Sequence, residues 1–321
     1  MSTNLTVVGA APSLPAALGP DLVAAVDLAK AEKAVSTRKA YGTDFRLFKA
    51  WCEVKGVSSL PASPETVAAF LAAETDNGTK PSTLGRRIAA SRYAHTLAQL
   101  DTPTDSEAVK ATLRGIRRTV GAAKVKKAPA IAERIKAMAR ACPNTVAGTR
   151  DRALLLLGFA GAFRRSELVA LDVEHIEEIV DGLRVLIACS KTDQEGEGAT
   201  IAIARGSDAC PVQALRDWLD VARIESGPVF RPINKAGAVS SRRLTDRSVA
   251  NLVKVYAGRA GLDAKLFAGH SLRSGFLTSA ASKGASIFKM MDVSRHKSVD
   301  TLRGYVRDAE LFKDHAGEGL L

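Results

Sequence analysis

From residue 21 to about 120, apolar positions recur at helical spacing throughout. Tyr41, Phe45, Phe48 and Cys52 fall four, three and four apart, which makes one stripe facing a core, and Ser36 is placed to cap that helix. Tyr41 therefore reads as packing rather than chemistry. Ser63-Pro64-Glu65 announces a second helix, because proline suits the first helical position and an acid suits the first turn. Asn77-Gly78 ends it, Ser82 begins a third, and Asp105 opens a fourth that runs into a basic tail. Short amphipathic helices in this order predict a compact bundle.

Beyond it, Gly121 to Ala130 is small and basic and reads as a linker. Helices are expected near 130–141 and 148–162. Leu183–Cys189 and Ala199–Ala204 alternate or are β-branched around Asp-Gln-Glu-Gly-Glu-Gly, the pattern of a hairpin. Pro211 opens a helix to about Arg223, and further helices are expected at 244–260, 270–283, 285–293 and 298–306. The expected organisation is a flexible tail over 1–20, a helical domain over 21–120, a linker over 121–130 and a mostly helical domain with one small sheet over 131–321.

Composition narrows the class. The chain has 321 residues, 46% of them hydrophobic, which suits two domains with their own cores. The uncharged apolar run Ala153 to Phe163 is too short to span a bilayer, and the first charge is Asp21, so neither a membrane span nor a signal peptide is expected. Cys52, Cys142, Cys189 and Cys210 are scattered without a C-x-x-C, which fits reduced thiols of a cytosolic protein and offers no metal site. The net charge of +12 points to a polyanionic partner, and nucleic acid is the commonest. Both halves are basic, as expected if both touch one duplex. The densest run is Arg114, Arg117, Arg118, Lys124, Lys126 and Lys127, with no acid between 111 and 130 to pair it. Arg86, Arg87, Arg242 and Arg243 join it as candidate DNA contacts.

The second half carries the candidate chemistry. Gly-His-Ser-Leu-Arg-Ser-Gly puts His270 and Arg273 three apart, hence on one face of a helix. At the start of that helix, exposed N–H groups add partial positive charge toward an anion. His296 and Tyr305 follow, and Arg164 precedes them in Gly-Ala-Phe-Arg-Arg-Ser-Glu-Leu. Arginine offers a planar fork matching two phosphate oxygens, histidine moves protons near neutrality, and tyrosine supplies an oxygen able to form a phosphoester.

These segments resemble the boxes of the tyrosine recombinase (phage integrase) family. The first box is Gly, apolar, Arg, apolar, Ser/Ala, Glu, apolar, with Phe163 and Arg165 as variations; the register of Ser166-Glu167-Leu168 favours Arg164 over Arg165. The H-x-x-R block is the second box, and a histidine or tryptophan nine residues before the tyrosine matches His296 and Tyr305. The family often has glycine before this histidine, whereas here Arg295 stands there.

The resemblance implies a mainly α fold: a helical, SAM-like core-binding bundle followed by a catalytic domain with a small antiparallel sheet. It implies that Tyr305 attacks a phosphodiester to give a 3′-phosphotyrosyl link, with Arg164, Arg273, His270 and His296 neutralising the phosphate. It implies further that Lys191, in the hairpin turn, protonates the leaving 5′-oxygen and that Glu167 orients a neighbour. The bond energy stays in the protein–DNA ester, so no cofactor or metal is called for. Partners would be double-stranded DNA with a short specific site and copies of the chain, two per site and four in synapsis. A type IB topoisomerase, a hairpin telomere resolvase and an inactive basic DNA-binding regulator remain as alternatives.

Overall fold

The computed structural model describes residues 32–121, 127–188 and 198–309, and the chain divides into two compact units, 1–124 and 125–321. In the first unit, α1 (Val35–Lys55), α2 (Pro64–Asp76), α3 (Pro81–Leu97) and α4 (Glu107–Val120) form the expected bundle. Helix α1 lies on α3 and α2 lies on α4, around Phe48, Cys52, Phe70, Leu71, Leu84 and Val109. The predicted stripe holds: Phe48 and Cys52 are buried, while Tyr41 and Phe45 are half-buried and Tyr41 packs 5.6 Å from the ring of Tyr93. Ser63 caps α2 by accepting from the Thr66 N–H at 3.2 Å.

Three helix starts differ from the sequence reading. Ala34 rather than Ser36 precedes α1, and its side chain makes no cap. Helix α3 begins at Pro81, one residue before Ser82, because proline already has a helical φ and gives up no bonded N–H at a first position. Helix α4 is capped by Ser106, whose hydroxyl accepts from the Val109 N–H at 3.3 Å, while Asp105 lies in a preceding 3-10 turn. His95 is fully buried and structural: it accepts from the Ala62 N–H at 3.0 Å and lies 2.8 Å from the Ser91 carbonyl.

The second unit is built around α6 (Val146–Ala160), buried along Ala153–Leu157 and therefore apolar on every side. Helices α5 (Ala132–Arg140) and α8 (Pro211–Ala222) flank it, and Trp218 of α8 is buried with its indole N–H on the Val229 carbonyl at 2.8 Å. Strands β1 (Ile176–Ile179), β2 (Gly182–Ile187) and β3 (Ala199–Ala204) form an antiparallel sheet in that order. Leu183 opposes Ile203 and Val185 opposes Ile201, so the alternation read as a hairpin buries one face. The chain then continues through α9 (Asp246–Arg259), α10 (Ser271–Ser282), α11 (Ile287–Ser294) and α12 (Val299–Ala309).

Strand β1 and the short helix α7 (Arg165–Ala170) lie outside the sequence expectations. Four and six residues are too few to display a period. Helix α6 also stops at Ala160 rather than 162, because Ala162 turns to a positive φ of 46°. That break sets the site. Helix α10 is fixed at its start: Ala130 donates to the Ser271 carbonyl at 2.9 Å, and a Cβ on Gly275 would meet the Ala130 oxygen at 2.0 Å. Only glycine permits this approach. No helix among the described residues is long and apolar enough to cross a membrane.

Candidate functional site

The break after α6 turns the chain sharply enough to set Arg164 at the N-cap of α7. There its backbone N–H donates to Glu167 Oε2 at 2.9 Å and its Nη1 donates to Oε1 at 2.5 Å. Glu167 is 1% exposed, so it is no surface acid. Burial pushes its pKa up, but Arg295 and the Arg164 bonds outweigh that and hold it below the ordinary carboxylate range. Arg165, the neighbour that made the first box ambiguous, points elsewhere. It lies 3.5 Å from Asp246 and packs so closely on Gly269 that a Cβ there would meet its Cδ at 2.0 Å.

His270 occupies the N-cap of α10, and Arg273 follows one turn later, 1% exposed. Arg273 Nη1 donates to the Ala162 carbonyl at 2.8 Å. Its Nη2 is 3.4 Å from Nδ1 and 3.3 Å from Nε2 of His296. One atom so nearly equidistant from both ring nitrogens lies over the imidazole face, since an in-plane approach between them would collide with Cε1. Nη2 therefore sits over the ring, and the ring edge is left to other partners. His296 Nδ1 is 2.7 Å from Ser294 Oγ, which donates to the Met290 carbonyl at 2.6 Å. Ser294 is thus placed to receive an Nδ1–H and fix the ring orientation. Tyr305 Oη stands 3.5 Å from His270 Nε2, a loose contact of the kind that tightens when a substrate arrives.

The electrostatics describe one cationic pocket awaiting an anion. Burial lowers Arg273 to about 9, helped by Arg164 and Arg295 and opposed by Glu167 and Tyr305. It stays charged at neutral pH, at a cost that an incoming phosphate would relieve. Burial, followed by Arg273 and Arg164, lowers His270 from its ordinary value, and the same causes bring His296 to about 4. Both imidazoles are neutral at pH 7.

A pH dependence of stability follows. The unfolded histidines bind protons near pH 6.5, whereas the folded ones resist them, so their contribution is complete above pH 6.5 and is lost as pH falls toward 4. His296 alone should remove on the order of 2–3 kcal/mol by pH 4. Thermal unfolding between pH 7 and 4 checks this: His296→Asn should flatten the acid-side decline, and an unchanged decline would refute it.

Of the other sequence candidates, Lys191 of the hairpin turn, Lys124 and Lys126 lie outside the described residues. Arg117 and Arg118 are exposed on the last turn of α4, and Arg242 is exposed as well. Arg114 is exposed but paired with Glu107. Arg86 grips buried Asp44 through two bonds of 2.6 and 3.0 Å. Arg87, 12% exposed, pairs with Glu74 inside the bundle. Arg243 binds Asp172 and the carbonyls of Val169 and Leu171, and Lys127 donates to the Lys265 carbonyl at 2.6 Å. Arg87 therefore ties elements together inside the bundle, whereas Arg243 is anchored by these bonds and still exposed.

Two residues at the site carry roles that the sequence reading did not give them. Ser294 has no local signal. Arg295 registers in the sequence only as a departure from glycine, yet it adopts a left-handed φ of 57° and binds Glu167.

Comparison with known proteins agrees with this geometry. The pattern of the phage integrase family matches residues 131–311. The chain is 42% identical over 290 residues to an integrase/recombinase xerD homolog of Selenomonas ruminantium, covering 88% of this chain and 85% of that one. It is 23% identical to the recombinase cre of Escherichia phage P1, over 97% and 96% of the two chains. In fold it is similar to a lambda integrase dimer bound to a COC′ core site, with a TM-score of 0.60, 18% identity, and 90% and 94% of the chains covered. The family pattern covers more than half of the sequence and the first of these relatives aligns along most of both chains; this protein belongs to the phage integrase family.

Proposed function

We propose that the chain is a site-specific DNA recombinase that cleaves and rejoins DNA through a phosphotyrosine on Tyr305. The observation that carries the assignment of residues is the meeting of Tyr305 with His270, 3.5 Å apart, in the pocket where Arg164 and Arg273 act on the same charges. Tyr305 Oη attacks the scissile phosphorus, and neutral His270 takes the phenolic proton. A new P–O bond to tyrosine forms as the bond to the 5′-oxygen breaks. Lys191 supplies the proton for that leaving oxygen. Arg164, Arg273 and the edge of His296 meet the charge that grows on the non-bridging oxygens, and Glu167 keeps Arg164 in place. The partner duplex's 5′-hydroxyl then reverses the attack.

Arg114, Arg117, Arg118, Lys124, Lys126 and Arg242 would track phosphates outside the pocket, with the salt sensitivity that counterion release imposes. Arg86 would contribute through the part of its side chain left in solvent. The working form is two copies on one site and four in synapsis, in the cytoplasm with the cell's DNA. A nicked suicide duplex, which loses its 5′-hydroxyl fragment after cleavage, tests the assignment. The wild type should accumulate a covalent protein–DNA adduct; a chain that binds the site and forms none would instead be an inactive DNA-binding regulator.

A further inference from the structure

Among the described residues, Arg295 is the one site cation whose terminal N–H groups are all engaged inside the protein. It closes α11 with φ 57° and ψ 40°, a conformation that L side chains adopt only under strain. Its side chain turns inward to 7% exposure, with the guanidinium 5.4 Å above the Phe163 ring. Nη1 donates to the carbonyls of Gly161 at 3.2 Å and Val293 at 2.5 Å. Nη2 donates to the Ala162 carbonyl at 3.2 Å and to Glu167 Oε2 at 2.7 Å. Four terminal N–H groups meet four acceptors, and Nε is buried without a partner. No terminal donor is left for a DNA phosphate.

Two of those four acceptors are shared with the groups that face the phosphate. Glu167 also holds Arg164, and the Ala162 carbonyl also holds Arg273. Arg295 is therefore the node through which both arginines are anchored. Without it, the buried carboxylate of Glu167 would have Arg164 as its ion-pair partner, in the closed two-point grip that a guanidinium and a carboxylate prefer. That grip would turn Arg164 away from an incoming anion. The Ala162 turn would at the same time lose the donors that brace its carbonyl and that of Gly161, and Arg273 rests on that turn.

We propose that Arg295 is a positioning residue for DNA cleavage: it takes half of the Glu167 carboxylate so that Arg164 keeps donors for phosphate, and it braces the turn that seats Arg273. The proposal rests on the reading that Arg164 and Arg273 hold the scissile phosphate. It replaces the simpler view of position 295 as a turn that needs only a left-handed residue. An arginine here bears strain for which a glycine would do, and the fourfold engagement of its side chain is the compensating interaction.

The test uses the full chain on the nicked suicide duplex, with single-turnover adduct formation, binding by gel shift and thermal unfolding read in parallel. Arg295→Met keeps the side chain's reach and removes the charge. It should lower the adduct rate roughly 10²-fold, the scale of a small misplacement of reacting groups. DNA affinity should stay within about threefold, because no phosphate contact is removed. Combining Arg295→Met with Glu167→Gln should cost no more than the worse single change, since both act on one shared carboxylate, whereas independent effects would multiply. Arg295→Lys, which keeps the charge but not the fork, should recover part of the rate and carries the test if the methionine variant does not fold.

The proposal is overturned by an adduct rate near wild type in a folded Arg295→Met, by equal losses in rate and affinity, or by multiplicative losses in the double variant. Tyr305→Phe is the control that separates the two readings: an adduct from that variant would refute the site assignment itself, while its absence beside an unaffected Arg295→Met refutes this inference alone.

Discussion

Replacing Tyr305 with phenylalanine should abolish the covalent adduct while leaving DNA binding intact. Removing a covalent nucleophile from a preorganised site costs on the order of 10⁶ in rate, which puts the product below detection on a suicide duplex. The substitution isolates the oxygen. Tyr305 is half-buried against the small cluster of Leu277, Ala281, Met290 and Leu302, and phenylalanine keeps the ring that packs there. The fold should therefore survive, which thermal unfolding verifies. What is lost is the hydroxyl that stands 3.5 Å from His270 Nε2. An adduct formed at the wild-type rate by Tyr305→Phe would mean that a different side chain attacks, and the pocket would need another role.

Arg273→Lys should lower the rate of adduct formation by about 10²–10³, the usual cost of one preorganised donor to a developing charge. The charge is conserved, so the loss measures geometry. Arg273 spans two tasks because its fork is planar: Nη1 is held by the Ala162 carbonyl at 2.8 Å while Nη2 lies on the face of His296. An ammonium group is compact and strongly hydrated, and it cannot rest on the carbonyl and reach a phosphate oxygen together. Affinity for DNA should change little, since on the proposed reading most phosphates are tracked by basic residues outside the pocket. Single-turnover cleavage at saturating protein, set beside gel-shift affinity, separates these quantities. A rate within about threefold of wild type would show that this buried cation does not touch the transition state, because such contacts act on rate more than on binding.

Much of the architecture was legible because its signals are local. Ser63-Pro64-Glu65 starts a helix by satisfying free N–H groups with atoms a few residues away, and the structure has that helix where those residues put it. The alternation in Leu183–Ile187 and Ala199–Ala204 likewise locates a buried sheet face. Strand β1 was not legible, since four residues with a central Glu-Glu carry no period, and it exists because the edge of β2 offers hydrogen bonds. The caps at Ser36, Ser82 and Asp105 were misplaced by one or two residues. Ser106 meets the same local rule as its neighbour Asp105, whereas Ala34 and Lys80 cap their helices without a side-chain bond, so packing of the whole helix sets those two ends.

At the site, the order of Arg164, His270, Arg273, His296 and Tyr305 along the chain pointed to the family that the comparisons show, and to the chemistry proposed for it. The sequence also determined that the protein is basic and helical, because charge and periodicity are properties of neighbours along the chain. Tertiary structure alone decided how the charges are apportioned. It turned Arg164 inward and Arg165 out to Asp246, buried Glu167, engaged Arg87 internally, paired Arg243 with Asp172 at the surface, and made Arg295 the partner of a carboxylate 128 positions away. Such pairings are set by which buried acceptor still lacks a donor once the helices have packed. That is a balance over the whole fold, and no stretch of sequence contains it.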